Sequence, residues 1–205
     1  NERRVQLDHI IIATKNTGKV KEFKSILAPL NIEVTSLLDF SPPLKDIEET
    51  GKTFEDNARL KAETIGKLTD QPVIADDSGL IIDALNGRPG IYSARFAGEH
   101  ATDEDNMRKV LTELLNVPYE ARTARFICVL AFALPTGETT FHKGYCEGKI
   151  AFEPKGDHGF GYDPIFIPEG FQKTFAQLPA HEKNQLSHRH DAIQQLKGYL
   201  IEEIL

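Results

Sequence analysis

The chain has 205 residues, of which 40% are hydrophobic, enough to bury one sizeable core in a single compact domain, with two lobes as its elaboration. Its formal net charge of −7 argues against a general grip on nucleic acid, because polyanion binding rests on basic patches that release counterions. The apolar run Ile10-Ile11-Ile12-Ala13 is too short for a signal-peptide core or a membrane span, so the expectation is a soluble, cytoplasmic protein with no membrane partner.

The chain opens at Asn1 without an initiator methionine, and its first residues read as an incomplete or added segment. His9 to Ala13 predicts a buried strand. Lys19 to Ala28 predicts a helix with Val20, Phe23, Ile26 and Leu27 on one face. A second helix is expected over Phe54 to Leu68. Thr53 would be its N-cap, Asp56 completes the pattern of a capping box, and Phe54, Ala58, Ala62 and Ile65 form the apolar stripe. The run Pro72-Val73-Ile74-Ala75 then reads as a strand ending at Asp76-Asp77-Ser78-Gly79, after which Leu80-Ile81-Ile82 resumes.

Beyond the Gly87-Arg88-Pro89-Gly90 turn, Asp103 to Leu115 predicts a helix with Val110, Leu111, Leu114 and Leu115 inward. The period then changes to two: Ala124 to Leu134 and Thr139 to Ile150 flank Pro135-Thr136-Gly137, the pattern of a β-hairpin. A glycine-rich loop from Gly156 to Tyr162 precedes a short strand over Pro164 to Ile167. The chain closes with a helix carrying Ile193, Leu196, Leu200 and Ile204. Cys128 and Cys146 fall in predicted strands without metal-ligand spacing, which fits ordinary sheet packing. Helices interleaved with strands early and a hairpin later define an α/β protein with a mixed sheet.

Five segments carry residues suited to chemistry. Adjacent carboxylates beside a buried strand repel each other and resist desolvation, so Asp76-Asp77 reads either as a cation or proton-transfer site or as a solvated turn. Thr14-Lys15-Asn16-Thr17-Gly18-Lys19 occupies a strand-to-helix turn, where unpaired N–H groups favour an anion; a plain helix cap is the alternative, and the P-loop pattern is not met. Glu48-Glu49 precedes the second helix, on which Asn57 and Lys61 share a face; a metal phosphate could be met there, or the charges simply balance the helix. Gly159-Phe160-Gly161-Tyr162-Asp163 places aromatics among glycines, suited to stacking on a base or to plugging a core. Lys183, His188 and Arg189 add donors near the last helix, with Ser187 as its N-cap.

Taken in order, the segments Thr14 to Lys19, Glu48 to Ala62, Ala75 to Leu80, Gly87 to Gly98, Gly156 to Phe166 and Glu182 to Arg189 closely resemble the inosine triphosphate pyrophosphatase family, the Ham1-like or RdgB-like hydrolases of non-standard purine nucleotides. The resemblance spans nearly the whole chain. It implies an extended twisted mixed β-sheet flanked by helices, two lobes with a substrate groove between them, and a homodimer. It also implies cleavage of ITP, XTP and their deoxy forms between the α and β phosphates, cleansing the nucleotide pool of deaminated purines. At matching positions, Thr14, Lys15, Asn16, Thr17, Gly18 and Lys19 would contact the triphosphate. Glu48 and Asp77 would hold Mg²⁺, with Asp77 also the proton acceptor. Ser78 would contact substrate, and Phe160, Gly161, Tyr162, Asp163, Lys183, His188 and Arg189 would line the base pocket. Helix geometry together with the resemblance around Asn57-Ala58-Arg59-Leu60-Lys61 adds Lys61 as a phosphate contact.

The chemistry is coherent. A 6-oxopurine accepts hydrogen bonds at O6 and donates from N1, whereas adenine presents the opposite pattern, so donors aimed at O6 reject ATP but not GTP. Two positions depart from the family's habit: Gln177 stands where Glu is usual and Lys155 where Arg is common, which bears on substrate preference more than on the reaction. One rival is a Maf-like pyrophosphatase acting on modified pyrimidine nucleotides, and another is a nucleotide-binding sensor without turnover. The Phe160 loop and Ser187-His188-Arg189 weigh against the first, and the joint presence of Glu48 and Asp77 against the second.

Overall fold

A computed structural model describes residues 7–205; the opening residues, including the non-methionine Asn1, lie outside them. The strands are β1 His9–Ile12, β2 Glu33–Ser36, β3 Val73–Ile82, β4 Thr123–Ala133, β5 Thr139–Ile150 and β6 Phe166–Pro168. The helices are α1 Thr17–Leu27, α2 Phe54–Thr69, α3 Asp103–Glu113, α4 Ala180–Leu186 and α5 His188–Tyr199. The strands are hydrogen-bonded in the order β2-β1-β3-β4-β5-β6. β1 runs parallel to both β2 and β3, while β5 and β6 are antiparallel, so the sheet is mixed as expected. No helix among the described residues is long and apolar enough to cross a membrane.

The chain divides into two compact units. Unit 1 comprises the segment up to Asp77, Val129–Gly144 and Asp191–Leu205; unit 2 comprises Ser78–Cys128 and Tyr145–His190. In unit 1, Asn16 caps α1 by accepting the Lys19 N–H at 3.0 Å, and Val20, Phe23 and Leu27 are buried. Thr53 caps α2, accepting the Asp56 N–H at 3.0 Å, and Phe54, Ala58, Ala62 and Ile65 are buried at helical spacing. The reciprocal half of the capping box is shifted by one residue, because the Asp56 carboxylate accepts from Lys52 N–H. The helix ends where Asp70 adopts the left-handed region at φ 53°.

In unit 2, Leu80, Ile82, Val110, Leu114, Phe126, Ile165, Phe166 and Phe175 form one buried cluster. Arg122 is buried with them, its guanidinium donating to the carbonyls of Leu114, Val117 and Ala151 at 2.8–3.0 Å. Cys128 and Cys146 are buried and not disulfide-bonded.

Three local expectations are corrected. The strand does not break at Asp76: β3 runs without interruption from Val73 to Ile82, so Asp76-Asp77-Ser78-Gly79 is strand and not turn. The helix α1 begins at Thr17, which places Thr17, Gly18 and Lys19 in its first turn and leaves only Thr14 to Asn16 as connection. Leu115 does not face inward; α3 stops at Glu113 and Leu115 is 73% exposed. Several short elements went unforeseen, among them the strand β2, the helix α4 and the 3-10 turn Asp163–Ile165, which delays the expected strand to Phe166.

Candidate active site

Unit 1 gathers an acid–lysine cluster on three elements. Asp76 and Asp77 are in β3 and only 6% and 7% exposed. Lys19, from the first turn of α1, places its Nζ 2.8 Å from Asp76 Oδ2. Lys61, one turn beyond Asn57 on α2, donates to Glu49 Oε1 at 2.9 Å and to the backbone carbonyl of Asp76. The two lysines thus offset the charge that two adjacent buried carboxylates accumulate.

Glu48, by contrast, is exposed, and the glutamate that enters this cluster is its neighbour Glu49. Nothing in a loop sequence distinguishes adjacent glutamates, so only the fold makes the choice. Asn57 is 1% exposed and fixes the same loop, its Oδ1 accepting the Gly51 N–H at 2.7 Å. A Cβ on Gly51 would lie 2.7 Å from that oxygen, so glycine is what permits the close approach.

Asp77 is the perturbed group. Burial pushes its carboxyl from the ordinary 3.8 up to about 7; the Lys61 charge pulls it down, Glu49 pushes it up, Asn57 pulls it down and Asp76 pushes it up. Its Oδ2 is buried with no protein partner. Lys61 is held above its ordinary value because the charges of Asp76 and Glu49 outweigh its own burial. A base with this pKa can exchange a proton near neutrality, and an unpartnered carboxylate oxygen can accept from water or a cation.

The remaining unit 1 residues sit around the β1–α1 connection. Thr14 Oγ1 accepts the Asn16 N–H at 3.1 Å. Lys15 extends to Asp46 at 3.0 Å and to the Leu44 carbonyl at 3.1 Å, and Thr17 and Gly18 are exposed. Thr14, Lys15, Lys45, Asp46 and Lys61 line a cavity of about 260 Å³. A cavity edged by three lysines beside a helix N-terminus suits an anion.

Unit 2 holds a second constellation. Asp163, 5% exposed, accepts from Lys183 Nζ at 2.5 Å and from the Phe160 N–H at 3.2 Å. That ammonium also lies 5.1 Å from the centroid of the Phe160 ring and 5.9 Å from that of Phe175. Phe160 is 63% exposed, a large ring held open to solvent. Gly159 at φ +76° and Gly161 at φ +63° flank it. His188 stacks on Phe126 at 4.9 Å, and Ser187 caps α5 as expected, accepting the His190 N–H at 3.1 Å; Arg189 follows half-buried on the same helix. Ser78 Oγ is buried without a protein partner.

Tyr162 stands apart from its neighbours. Its ring belongs to the buried cluster and its hydroxyl donates to the Ser93 carbonyl at 2.6 Å, so its side chain anchors the loop and presents no polar atom to a ligand. Of the two departures, Gln177 caps a 3-10 turn by accepting the Thr174 N–H at 2.9 Å, and the side chain of Lys155 is 59% exposed.

The fold is a mixed α/β sheet whose unit 1 carries a buried acid pair met by lysines and whose unit 2 carries an aromatic loop beside an Asp–Lys ion pair. Residues 10–199 match the Ham1 family, and the chain belongs to it. It is 60% identical over 191 residues to a dITP/XTP pyrophosphatase of Oceanobacillus iheyensis, covering 93% of this chain and 97% of that protein. To the protein of the same name from Bacillus subtilis it is 55% identical over 190 residues, 93% of this chain and 96% of that one. The solved Ham1 protein of Staphylococcus aureus superposes with a TM-score of 0.88 at 46% identity, over 96% of this chain and 100% of that one. A HAM1 protein from Coxiella burnetii gives 0.89 at 43% identity with the same coverage.

Proposed function

We propose that this chain is a nucleoside triphosphate pyrophosphohydrolase that converts ITP, XTP and their deoxy forms to the monophosphate and pyrophosphate. The observation that carries the reading is Asp77: a buried carboxylate with an unpartnered oxygen and a pKa near neutrality, ringed by Lys61, Asp76 and Glu49. Relatives more than half identical over nearly their whole length bear the name dITP/XTP pyrophosphatase.

In this reaction a water oxygen bonds to phosphorus, the α–β anhydride bond breaks, and the water's proton passes to Asp77. Lys19 and Lys61 offset charge on the departing pyrophosphate, with Thr14 to Gly18 supplying backbone and side-chain donors to the triphosphate. The donor set also fits Mg²⁺. Among the described residues no three acidic, histidine or cysteine side chains form a ready-made cage, and Mg²⁺ is commonly held by one or two carboxylates plus substrate phosphates. Asp77, with its unpartnered oxygen, and Glu49 are the residues that would hold it; Glu48, the acidic partner expected from resemblance, would have to turn inward. When bound, the ion draws charge from phosphate oxygens and lowers the pKa of water.

Base selection falls to unit 2, where Phe160 offers a stacking face and Lys183, His188 and Arg189 offer donors to a 6-oxo group. Gly161 and Asp163 contribute close backbone for the 2-position. We also assign a cytoplasmic homodimer. Leu115 and Phe152, 73% and 62% exposed in unit 2, give such an assembly apolar surface to cover. The test is hydrolysis of ITP against UTP with Mg²⁺: a strong preference for ITP supports the reading, and preference for the pyrimidine refutes it.

A further inference from the structure

The loop that carries Phe160 has two left-handed glycines, Gly159 and Gly161, on either side of a ring that is 63% exposed. Glycines in this conformation leave a segment mobile unless something outside it holds it. Gly159 cannot be replaced to stiffen it, since a Cβ there would lie 2.1 Å from Asp163 Oδ2. The loop is instead fixed by bonds to distant residues: upstream, the His158 N–H donates to the Ala176 carbonyl at 3.0 Å, and three more act at and after Gly161. Asp163 is held by Lys183, Tyr162 by the Ser93 carbonyl at 2.6 Å, and Gly161 donates its N–H to Asp103 Oδ2 at 2.9 Å. Asp163 also accepts the Phe160 N–H on the near side of the ring, and the Asp103 bond holds the residue that follows it.

Asp103 is available for this because α3 is capped without it. Thr102 accepts the Asp105 N–H at 3.1 Å and Asp105 accepts the Thr102 N–H at 3.0 Å, a reciprocal capping box that leaves the Asp103 carboxylate uncommitted at the first helical position. The N-terminal end of the helix dipole favours its negative charge there, and a charged acceptor strengthens the bond to the Gly161 amide.

We propose that Asp103 is a positioning residue for base selection: through the Gly161 N–H it fixes the aromatic ring of Phe160 over Lys183. This rests on the reading of Phe160–Asp163 as the loop that meets the base. It adds a residue from a different helix, one that acts through the Gly161 amide. The Ser93 carbonyl plays the companion part on the other side, and Ser93 Oγ accepts the Leu80 N–H at 2.9 Å, tying the same anchor to β3.

The test compares Asp103→Ala with Asp103→Asn in the full-length protein. Asn keeps an oxygen acceptor for the Gly161 amide; Ala does not. Hydrogen exchange of the peptide containing Gly161 should quicken about tenfold in the Ala variant and stay near wild type in the Asn variant. With ITP as substrate, the Ala variant should show KM raised about tenfold with kcat lowered far less, and the ITP-over-GTP preference should fall, while Asn restores both. Unchanged Gly161 exchange in the Ala variant, or an Asn variant as impaired as Ala, overturns the proposal. Absence of ITP hydrolysis by the wild type would instead remove the functional reading, and the exchange result would still decide whether Asp103 holds the loop.

Discussion

Lys61 and Glu49 form an ion pair at 2.9 Å, and the same ammonium donates to the backbone carbonyl of Asp76. One side chain on α2 therefore holds the acidic loop and the acidic strand together, and it singles out Glu49 from its neighbour Glu48. Glu49→Gln should lower kcat about 100-fold or more, whereas Glu48→Gln should stay within about fivefold of wild type, the scale separating a charge that acts in the site from a solvated one. Equal losses in steady-state assays of the two variants would contradict the assignment.

Asp77 makes a stability prediction independent of turnover. Its folded pKa of about 7 lies above the ordinary 3.8, so it favours folding below about pH 4, and that advantage is lost as pH rises through 7. Asp77→Asn mimics the protonated form at every pH. The variant should gain on wild type by a margin near zero at pH 4 that grows to roughly 2–4 kcal/mol at pH 8 in metal-free buffer. Denaturant melts at both pH values measure this, and a gain independent of pH would contradict it.

Much of this was legible in the sequence, and what was not has physical causes. Helices α1 and α2 were readable because their apolar stripes are regular and Thr53 announces the second. The strand through Asp76 to Gly79 was not, since four turn-forming residues in a row outvote propensity unless something else neutralises the acids, and that something is Lys19 and Lys61. Lys61 was singled out from helical spacing together with the family resemblance around Asn57 to Lys61, and the structure sets it against Glu49 and Asp76. The contact of Glu49 with Lys61 was not legible because loop residues carry no period, nor was that of Asp103 with Gly161, whose partner is 58 residues away.

The pH dependence of catalysis follows from the same group. The base form of Asp77 is needed, so kcat at low Mg²⁺ should rise with an inflection near pH 7. Added Mg²⁺, by favouring the ionised carboxylate, should move that inflection downward. A rate profile flat between pH 5.5 and 8.5, or one insensitive to Mg²⁺, would contradict Asp77 as the proton acceptor.

Arg122 gives a purely structural counterpart. Its guanidinium donates to three carbonyls and lies 4.2 Å from the centroid of the Phe152 ring. Arg122→Met keeps much of the stem but leaves those carbonyls unpaired, costing on the order of 2–4 kcal/mol in urea unfolding. A loss under about 0.5 kcal/mol would show that the three bonds contribute little.

The central claim is the bond that breaks. Incubation of the purified protein with ITP and Mg²⁺, with pyrophosphate and orthophosphate quantified separately, reads it directly. One pyrophosphate per IMP, no orthophosphate as direct product, and little turnover of ATP are the expected results. Orthophosphate with IDP, or ATP consumed as readily as ITP, would contradict the account.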